Sequence, residues 1–189
     1  MTDNDGYFEY LSRRTRVGYL YRKNLLYPRI SRRLIGHTLD IGCGIGDMLA
    51  YRNDTVGVDI NPNTVSFCKA HGHDAHLMSI NKLPFNDSEF DSALLDNVLE
   101  HLDDPAPLLR DIHRVLKPKG RLIIGVPGIK GFESDIDHKI YYNDASLVDT
   151  SRQSRFGRIE IFHTPLWKSE WISKTIRQYC TYGVFERLE

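Results

Sequence analysis

The sequence predicts a doubly wound α/β fold built on a mostly parallel sheet, and three observations carry that expectation. Short apolar runs at 37–41, 55–59, 75–78, 90–95 and 121–126 read as strands. Helical stretches separate them, and strands alternating with helices imply a sheet covered on both faces. Three glycines at alternate positions, Gly42, Gly44 and Gly46, follow the first strand directly. Glycine tolerates φ > 0 and has no Cβ, so a chain built this way can turn sharply and bring its backbone close to a ligand.

Taken in order, Tyr7, Leu11, Leu20, Tyr21, Leu25, Ile30 and Leu34 recur at roughly helical intervals, with Gly18 and Pro28 as expected breaks. Two or three short helices are therefore predicted over 1–36, as a lead-in to the sheet or a lid over it. A helix from Gly46 to about Ala50 should join the first two strands. Asn61 followed by Pro62 is a helix start, an N-cap with proline at the first helical position, for a helix reaching about His71. The helix after the fourth strand is clearest from Ala106 to Leu116. Lys119-Gly120 then turns the chain into the fifth strand, which Pro127-Gly128 stops. Beyond lie a polar loop to about Lys139, a helix near 144–153 and a strand around 158–163. A helix including Trp167 and Trp171 and a last strand over 179–187 complete the chain.

A chain of 189 residues, 41% hydrophobic and 26% charged, fits one soluble domain able to bury a full core. No apolar run approaches the ~20 residues of a membrane span, and the polar start lacks a signal-peptide h-region, so a cytoplasmic protein is expected. Cys43, Cys68 and Cys180 have neither disulfide nor metal spacing, in keeping with a reducing compartment. A formal net charge of zero argues against a dedicated nucleic-acid binder. The basic run from Tyr7 to Arg33 is read as amphipathic helices with snorkelling arginines, as a lid with Tyr10, Tyr19 or Tyr21 facing inward, or as a patch for an anionic acceptor or nucleic acid.

Chemistry concentrates around the glycines. Asp40, ending the first strand, would repel a pyrophosphate and favour a ligand carrying an ammonium or sulfonium. Asp59 ends the second strand, 13 residues after Gly46 (59 − 46), where it can accept hydrogen bonds from two ribose hydroxyls. The rival dinucleotide fingerprint, G-x-G-x-x-G, needs a third glycine where Asp47 stands. Leu39-Asp40-Ile41-Gly42-Cys43-Gly44-Ile45-Gly46 and Val58-Asp59 begin an ordered set. Leu83-Pro84-Phe85 with Phe90-Asp91, Leu99-Glu100-His101 and Arg114-Val115-Leu116-Lys117-Pro118-Lys119-Gly120 complete it.

In order and spacing this set resembles the signature of class I S-adenosylmethionine-dependent methyltransferases of the small-molecule type, over roughly residues 37 to 127. The resemblance implies a Rossmann-like, seven-stranded sheet with the last strand antiparallel. It divides a single domain, 1–189, into the lead-in at 1–36, a cofactor-binding core at 37–127 and a substrate-side part at 128–189. It implies S-adenosyl-L-methionine as cofactor, held by Asp40, Gly42, Cys43, Gly44, Gly46, Asp59, Ile60, Ser79, Ile80 and Asn97. Relatives often carry an acid where Ser79 stands, so adenine recognition here falls partly to backbone near Ile80.

The acceptor side is read from two histidines, His101 beyond the fourth strand and His138 on the loop beyond the fifth, as candidates for a general base. Either could instead be structural, as could His163. Cys68, His71, His73 and His76 straddle a turn without zinc spacing, and no metal is expected. Neither Asn-Pro-Pro-Tyr nor Asp-Pro-Pro-Tyr follows the fourth strand, which removes support for methylation of exocyclic base nitrogens. The chain ends resemble those of small methyltransferases linked to cell-surface polysaccharides, which implies a saccharide hydroxyl as acceptor. Two rivals are a cofactor-binding protein without catalysis and a nicotinamide-dependent oxidoreductase. Oligomeric state is not legible.

Overall fold

The computed structural model describes residues 16–189. It forms a single seven-stranded sheet in the order β3-β2-β1-β4-β5-β7-β6. The strands are β1 (Thr38–Ile41), β2 (Thr55–Asp59), β3 (Ala75–Leu77), β4 (Phe90–Asp96), β5 (Leu116–Pro127), β6 (Phe156–Thr164) and β7 (Cys180–Arg187). β7 runs antiparallel to both its neighbours, β5 and β6, and the other pairs are parallel. Strand order reverses between β1 and β4, so the crevice of a doubly wound sheet opens at their carboxyl ends.

Period-two alternation sorts the strand residues onto two apolar faces. Leu39, Ile41, Ala93, Leu95, Leu122 and Ile124 face one way and pack with Leu108, Leu109, Ile112 and Val115. Those four lie on α5, one stripe of a ten-residue helix, Ala106–Val115. Each such side chain fully buried is worth about 1.5–3 kcal/mol. On the opposite face Leu94, Ile123, Tyr182 and Val184 receive Leu26, Tyr27, Ile30 and Leu34 from the amino-terminal helix. That segment is thus part of the core from Leu26 onward.

The amino-terminal segment corrects one expectation. α1 (Arg16–Tyr21) passes without a break through a π-helical stretch, Arg22–Leu26, into α2 (Tyr27–Ser31). Gly18 lies inside α1. The Tyr27 N–H bonds to Arg22 O, five residues back, and this widened turn admits Pro28, whose ring and missing N–H would otherwise break the ladder. Tyr19 is exposed and Tyr21 half-buried, while Tyr10 lies outside the described residues.

The remaining helices are α3 (Asp47–Tyr51), α4 (Pro62–Ala70), α6 (Ile129–Phe132), α7 (Asp144–Gln153) and α8 (Glu170–Thr175). Asn61 caps α4 as expected, accepting from the Asn63 N–H. α7 carries a reciprocal capping box between Asn143 and Ser146. Three predicted boundaries move. β5 starts at Leu116, with Lys119 at φ 62° beside a register shift. The loop after β5 contains α6, and Trp167 lies outside α8, which begins only after its cap Ser169.

Buried Asp111 on α5 ties the segment after β3 to the core. It accepts from the Leu83 N–H at 2.6 Å and from Arg114 Nε at 2.8 Å, while Arg114 also reaches Phe85 O at 2.8 Å. This strap gives a structural reason for Leu83-Pro84-Phe85 and Arg114 to occur together.

Candidate active site

Sequence and sheet topology together place the glycine loop at the switch point. Gly42, Gly44 and Gly46 have φ values of 75°, 52° and 81°, all in the left-handed region. A Cβ on Gly42 would stand 2.5 Å from Val98 Cγ2. The loop is tethered to the end of β2: the Gly42 and Cys43 N–H groups donate to Val58 O at 2.8 and 3.0 Å. Gly44 N–H donates to Asp59 Oδ2 at 2.9 Å, and Asn61 N–H donates to Asp59 Oδ1 at 2.9 Å. Asp59 therefore holds the loop through one oxygen and the start of the next helix through the other, with Ile60 N–H and the Thr64 hydroxyl as further donors, and an ionised carboxylate has lone pairs left to accept again. Burial raises its pKa, and the Asn61 and Gly44 N–H groups oppose that rise.

Asp40 is 5% exposed. Burial, then the charges of Asp96 and Asp59, push its pKa up to about 8, with Arg22 pulling the other way. Arg22 comes from the π-helical stretch and stands 3.7 Å from Asp96 Oδ2. Asp96, ending β4, also accepts from Tyr182 OH at 2.7 Å and from Asn97 Nδ2 at 3.0 Å. Asn97 itself sits at φ 55°, its N–H on Gly125 O. Three carboxylates thus meet at one sheet edge.

Ile60 and Ile80, 57% and 58% exposed, follow the ends of β2 and β3 at that same edge. Such apolar side chains left in solvent offer a surface for a flat base. Ser79 is exposed beside Ile80, with its carbonyl accepting from the Lys82 N–H. Cys43 is buried beneath the loop, close to Cys68, whose thiol donates to Gly44 O at 3.3 Å. Cys68 is thus engaged by the loop, and its carbonyl accepts from the His71 and His73 N–H groups at 3.1 and 3.0 Å. The backbone cradle, an acid for ribose, a buried acid for a cationic centre and exposed aliphatics fit S-adenosylmethionine in kind.

The two acceptor-side histidines meet. His101 lies on a 3-10 turn, Leu99–His101, after β4, and His138 on the loop after α6, yet their ring centroids are 4.6 Å apart. The loop is held there because Lys139 and Ile140 N–H both donate to Glu100 O, at 2.7 and 3.2 Å. Burial and the neighbouring His138 lower the His101 pKa. His138 Nδ1 lies 2.8 Å from Phe132 O, which can only accept, so Nδ1 carries the proton. Nε2 then points toward Glu100 Oε1 at 3.8 Å. Glu100 is fully buried, neither oxygen has a partner, and burial pushes its pKa up to about 8. His163 lies elsewhere, bonded to Asp144 at 3.0 Å.

Two surface clefts lie toward the β6–β7 end of the sheet, one bounded by Tyr141, Asp144, Lys168 and Tyr179, the other by Arg29, Arg32, Arg33 and Trp167. Neither contains Asp40, Gly44 or Asp59. The left-handed glycines, the buried Asp40 and Asp59 therefore lie at the switch point and outside both clefts.

Two residues that sequence reading left without a role stand in this site, Glu100 and Arg22. Glu100 appears in the Leu99-Glu100-His101 signature, but only the 3-10 turn directs it inward. Nothing in the spacing of the amino-terminal arginines singles out Arg22.

Comparison with known proteins agrees with this fold. The family described as "Methyltransferase domain" matches residues 39–124, where the chain is similar to class I S-adenosylmethionine-dependent methyltransferases; S-adenosylmethionine is the cofactor that this family and fold imply. An uncharacterized protein of Methanocaldococcus jannaschii is 31% identical over 118 residues, 60% of this chain and 58% of that protein. A probable S-adenosylmethionine-dependent methyltransferase of Mycolicibacterium smegmatis is 30% identical over 162 residues, 77% of this chain and 63% of its own length. The chain thus spans less than two thirds of either relative. In fold, it is similar to a Thermotoga maritima S-adenosylmethionine-dependent methyltransferase described as a possible histamine N-methyltransferase. The TM-score is 0.74 at 19% identity, covering 96% of this chain and 98% of that one. No helix among the described residues is long and apolar enough to cross a membrane.

Proposed function

We propose that this protein transfers the methyl group of S-adenosylmethionine to a hydroxyl of a small-molecule acceptor, with a saccharide hydroxyl as the preferred class. The observation that carries the reading is the loop of three left-handed glycines clasped by Asp59, with Asp40 buried alongside. When bound, the cofactor supplies an activated methyl on a sulfonium, so the protein's work is alignment and removal of the acceptor's proton. Asp59 orients the ribose, and Asp40 offsets the positive charge. Ile60 and Ile80 flank the base beside Ser79, while Asn97 and the backbone of Cys43 complete the cradle. His101 and His138, ring against ring beyond β4, stand where the acceptor's proton would be taken.

A methyl-transfer assay with labelled S-adenosylmethionine and a panel of saccharides tests this. His101→Ala and His138→Ala should each lower turnover by ~10²–10⁴-fold while leaving cofactor affinity intact. Label that moves to no hydroxyl acceptor, with cofactor still bound, would favour a binding protein without catalysis. Near-wild-type turnover in both variants would remove the histidines from the mechanism.

A further inference from the structure

We propose that Glu100, His101 and His138 form a binding site for a divalent transition cation of the zinc or manganese type, on the acceptor side of the crevice. The three side chains each offer one ligand atom, and these atoms lie within 4.8 Å of one another. Around a four-coordinate zinc with bonds of ~2.0–2.1 Å, donor atoms stand about 3.3 Å apart. Glu100 Oε1 and His138 Nε2, at 3.8 Å, are already close to that spacing.

Burial supplies the second, independent observation. Glu100 is 0% exposed and neither carboxylate oxygen has a hydrogen-bond partner. An acid sealed from water with no partner stays protonated, as its raised pKa allows, and when ionised is normally paired or bound to a metal. His138 Nε2 stands 3.8 Å from Oε1, beyond hydrogen-bond distance. Tyr142 OH, affected by the Glu100 charge, is likewise buried and unpartnered.

The orientation of His138 is that of a ligand. Its Nδ1–H is anchored on the Phe132 carbonyl and its ring stacks on Phe132, with centroids 5.3 Å apart. Such an outer hydrogen bond fixes the tautomer that leaves Nε2 with a free lone pair. That lone pair faces Glu100, and Asp135 Oδ2, 4.0 Å from Nε2, can add an oxygen. Two imidazoles with carboxylate oxygen suit zinc, manganese or ferrous iron better than magnesium, which prefers an all-oxygen, largely hydrated shell.

The proposal depends on the methyltransferase reading only for what the cation does, not for whether it binds. Bound there, the cation would coordinate the acceptor hydroxyl and acidify it, the proton leaving to solvent. With the cation bound, the two imidazoles act as its ligands instead of as the general base proposed above, and hydroxyl activation falls to the metal.

The test uses untagged full-length protein freed of metal by a chelator and titrated calorimetrically with ZnCl2, MnCl2 and MgCl2, with metal content measured after dialysis. Expected is one saturable site for zinc or manganese and none of comparable affinity for magnesium. Glu100→Gln, nearly isosteric, and His138→Asn should each weaken it by at least about tenfold. Both should still bind S-adenosylmethionine, which shows that they are folded. His73→Ala should leave metal binding unchanged. Absence of a zinc or manganese site in wild-type protein overturns the proposal, whether or not S-adenosylmethionine binds. So does a site that survives both Glu100→Gln and His138→Asn, or one lost in His73→Ala. If S-adenosylmethionine fails to bind while the metal site behaves as expected, the cofactor reading falls and the metal site stands.

Discussion

Replacing Asp59 by alanine perturbs the site in two ways that can be separated. In the structure, Asp59 accepts one backbone N–H on each oxygen, from Gly44 and Asn61, both at 2.9 Å. Two ribose hydroxyls donating to the remaining lone pairs would each contribute roughly 1.5–3 kcal/mol, as hydrogen bonds to a charged acceptor do. Their joint loss, about 3–6 kcal/mol, corresponds to ~10²–10⁴-fold in dissociation constant. Alanine also ends the cost of burying this carboxylate and frees the glycine loop, so the net loss is expected to be at least about tenfold. Asp59→Asn retains an oxygen for Gly44 but presents an amide N–H₂ to Asn61, and should lie between wild type and alanine. Calorimetric titration with S-adenosylmethionine reads the effect, with circular dichroism to show an intact fold. A folded alanine variant that binds as tightly as wild type refutes the ribose assignment.

Gly44→Val, by occupying a left-handed position at φ 52°, should abolish cofactor binding in a protein that still folds, and Gly42→Val should do the same by driving into Val98. Normal titration curves would place the ligand elsewhere. Asp40→Asn should weaken cofactor binding while stabilising the free protein. Because the folded-state pKa of Asp40 is raised to about 8 from the ordinary carboxylate value, the native state holds its proton across that interval. The stability contribution is complete below pH ~4 and lost as pH rises toward 8. The variant's advantage in urea midpoint should therefore grow over that window, and a pH-independent difference would contradict the argument. Asp111 has the opposite sign: burial would raise its pKa, but the Arg114 and Leu83 donors outweigh that and hold it low. Its contribution is present above pH ~4 and fades as pH falls through the depressed value. Asp111→Asn should cost about 1–3 kcal/mol at pH 7 by urea unfolding, and little in strong acid.

The alternating core was legible because its strands are short, apolar and bounded by Gly, Pro and Asn. The cap at Asn61 and the helix at 144–153 come out where local chemistry puts them. The amino-terminal segment was legible as helix but its continuity was not, because Gly18 and Pro28 read as breaks unless the π-helical turn between them is known. In the site, Asp40, Asp59 and the glycines announce themselves by spacing. His101 and His138 could be named singly, but their meeting depends on two Glu100 carbonyl bonds that hold the later loop to the 3-10 turn. Glu100 was legible only as part of the Leu99-Glu100-His101 signature, and the fold alone reveals it sealed from water.

The central claim is that the switch-point crevice between β1, β2 and β4 receives S-adenosylmethionine. Calorimetric titration of the full chain with S-adenosylmethionine, with NAD⁺ in a parallel cell, tests it most directly. The account predicts one saturable site for S-adenosylmethionine, competed by S-adenosylhomocysteine, and no measurable binding of NAD⁺. Binding of NAD⁺ in preference, or no binding of S-adenosylmethionine by the folded protein, would contradict it.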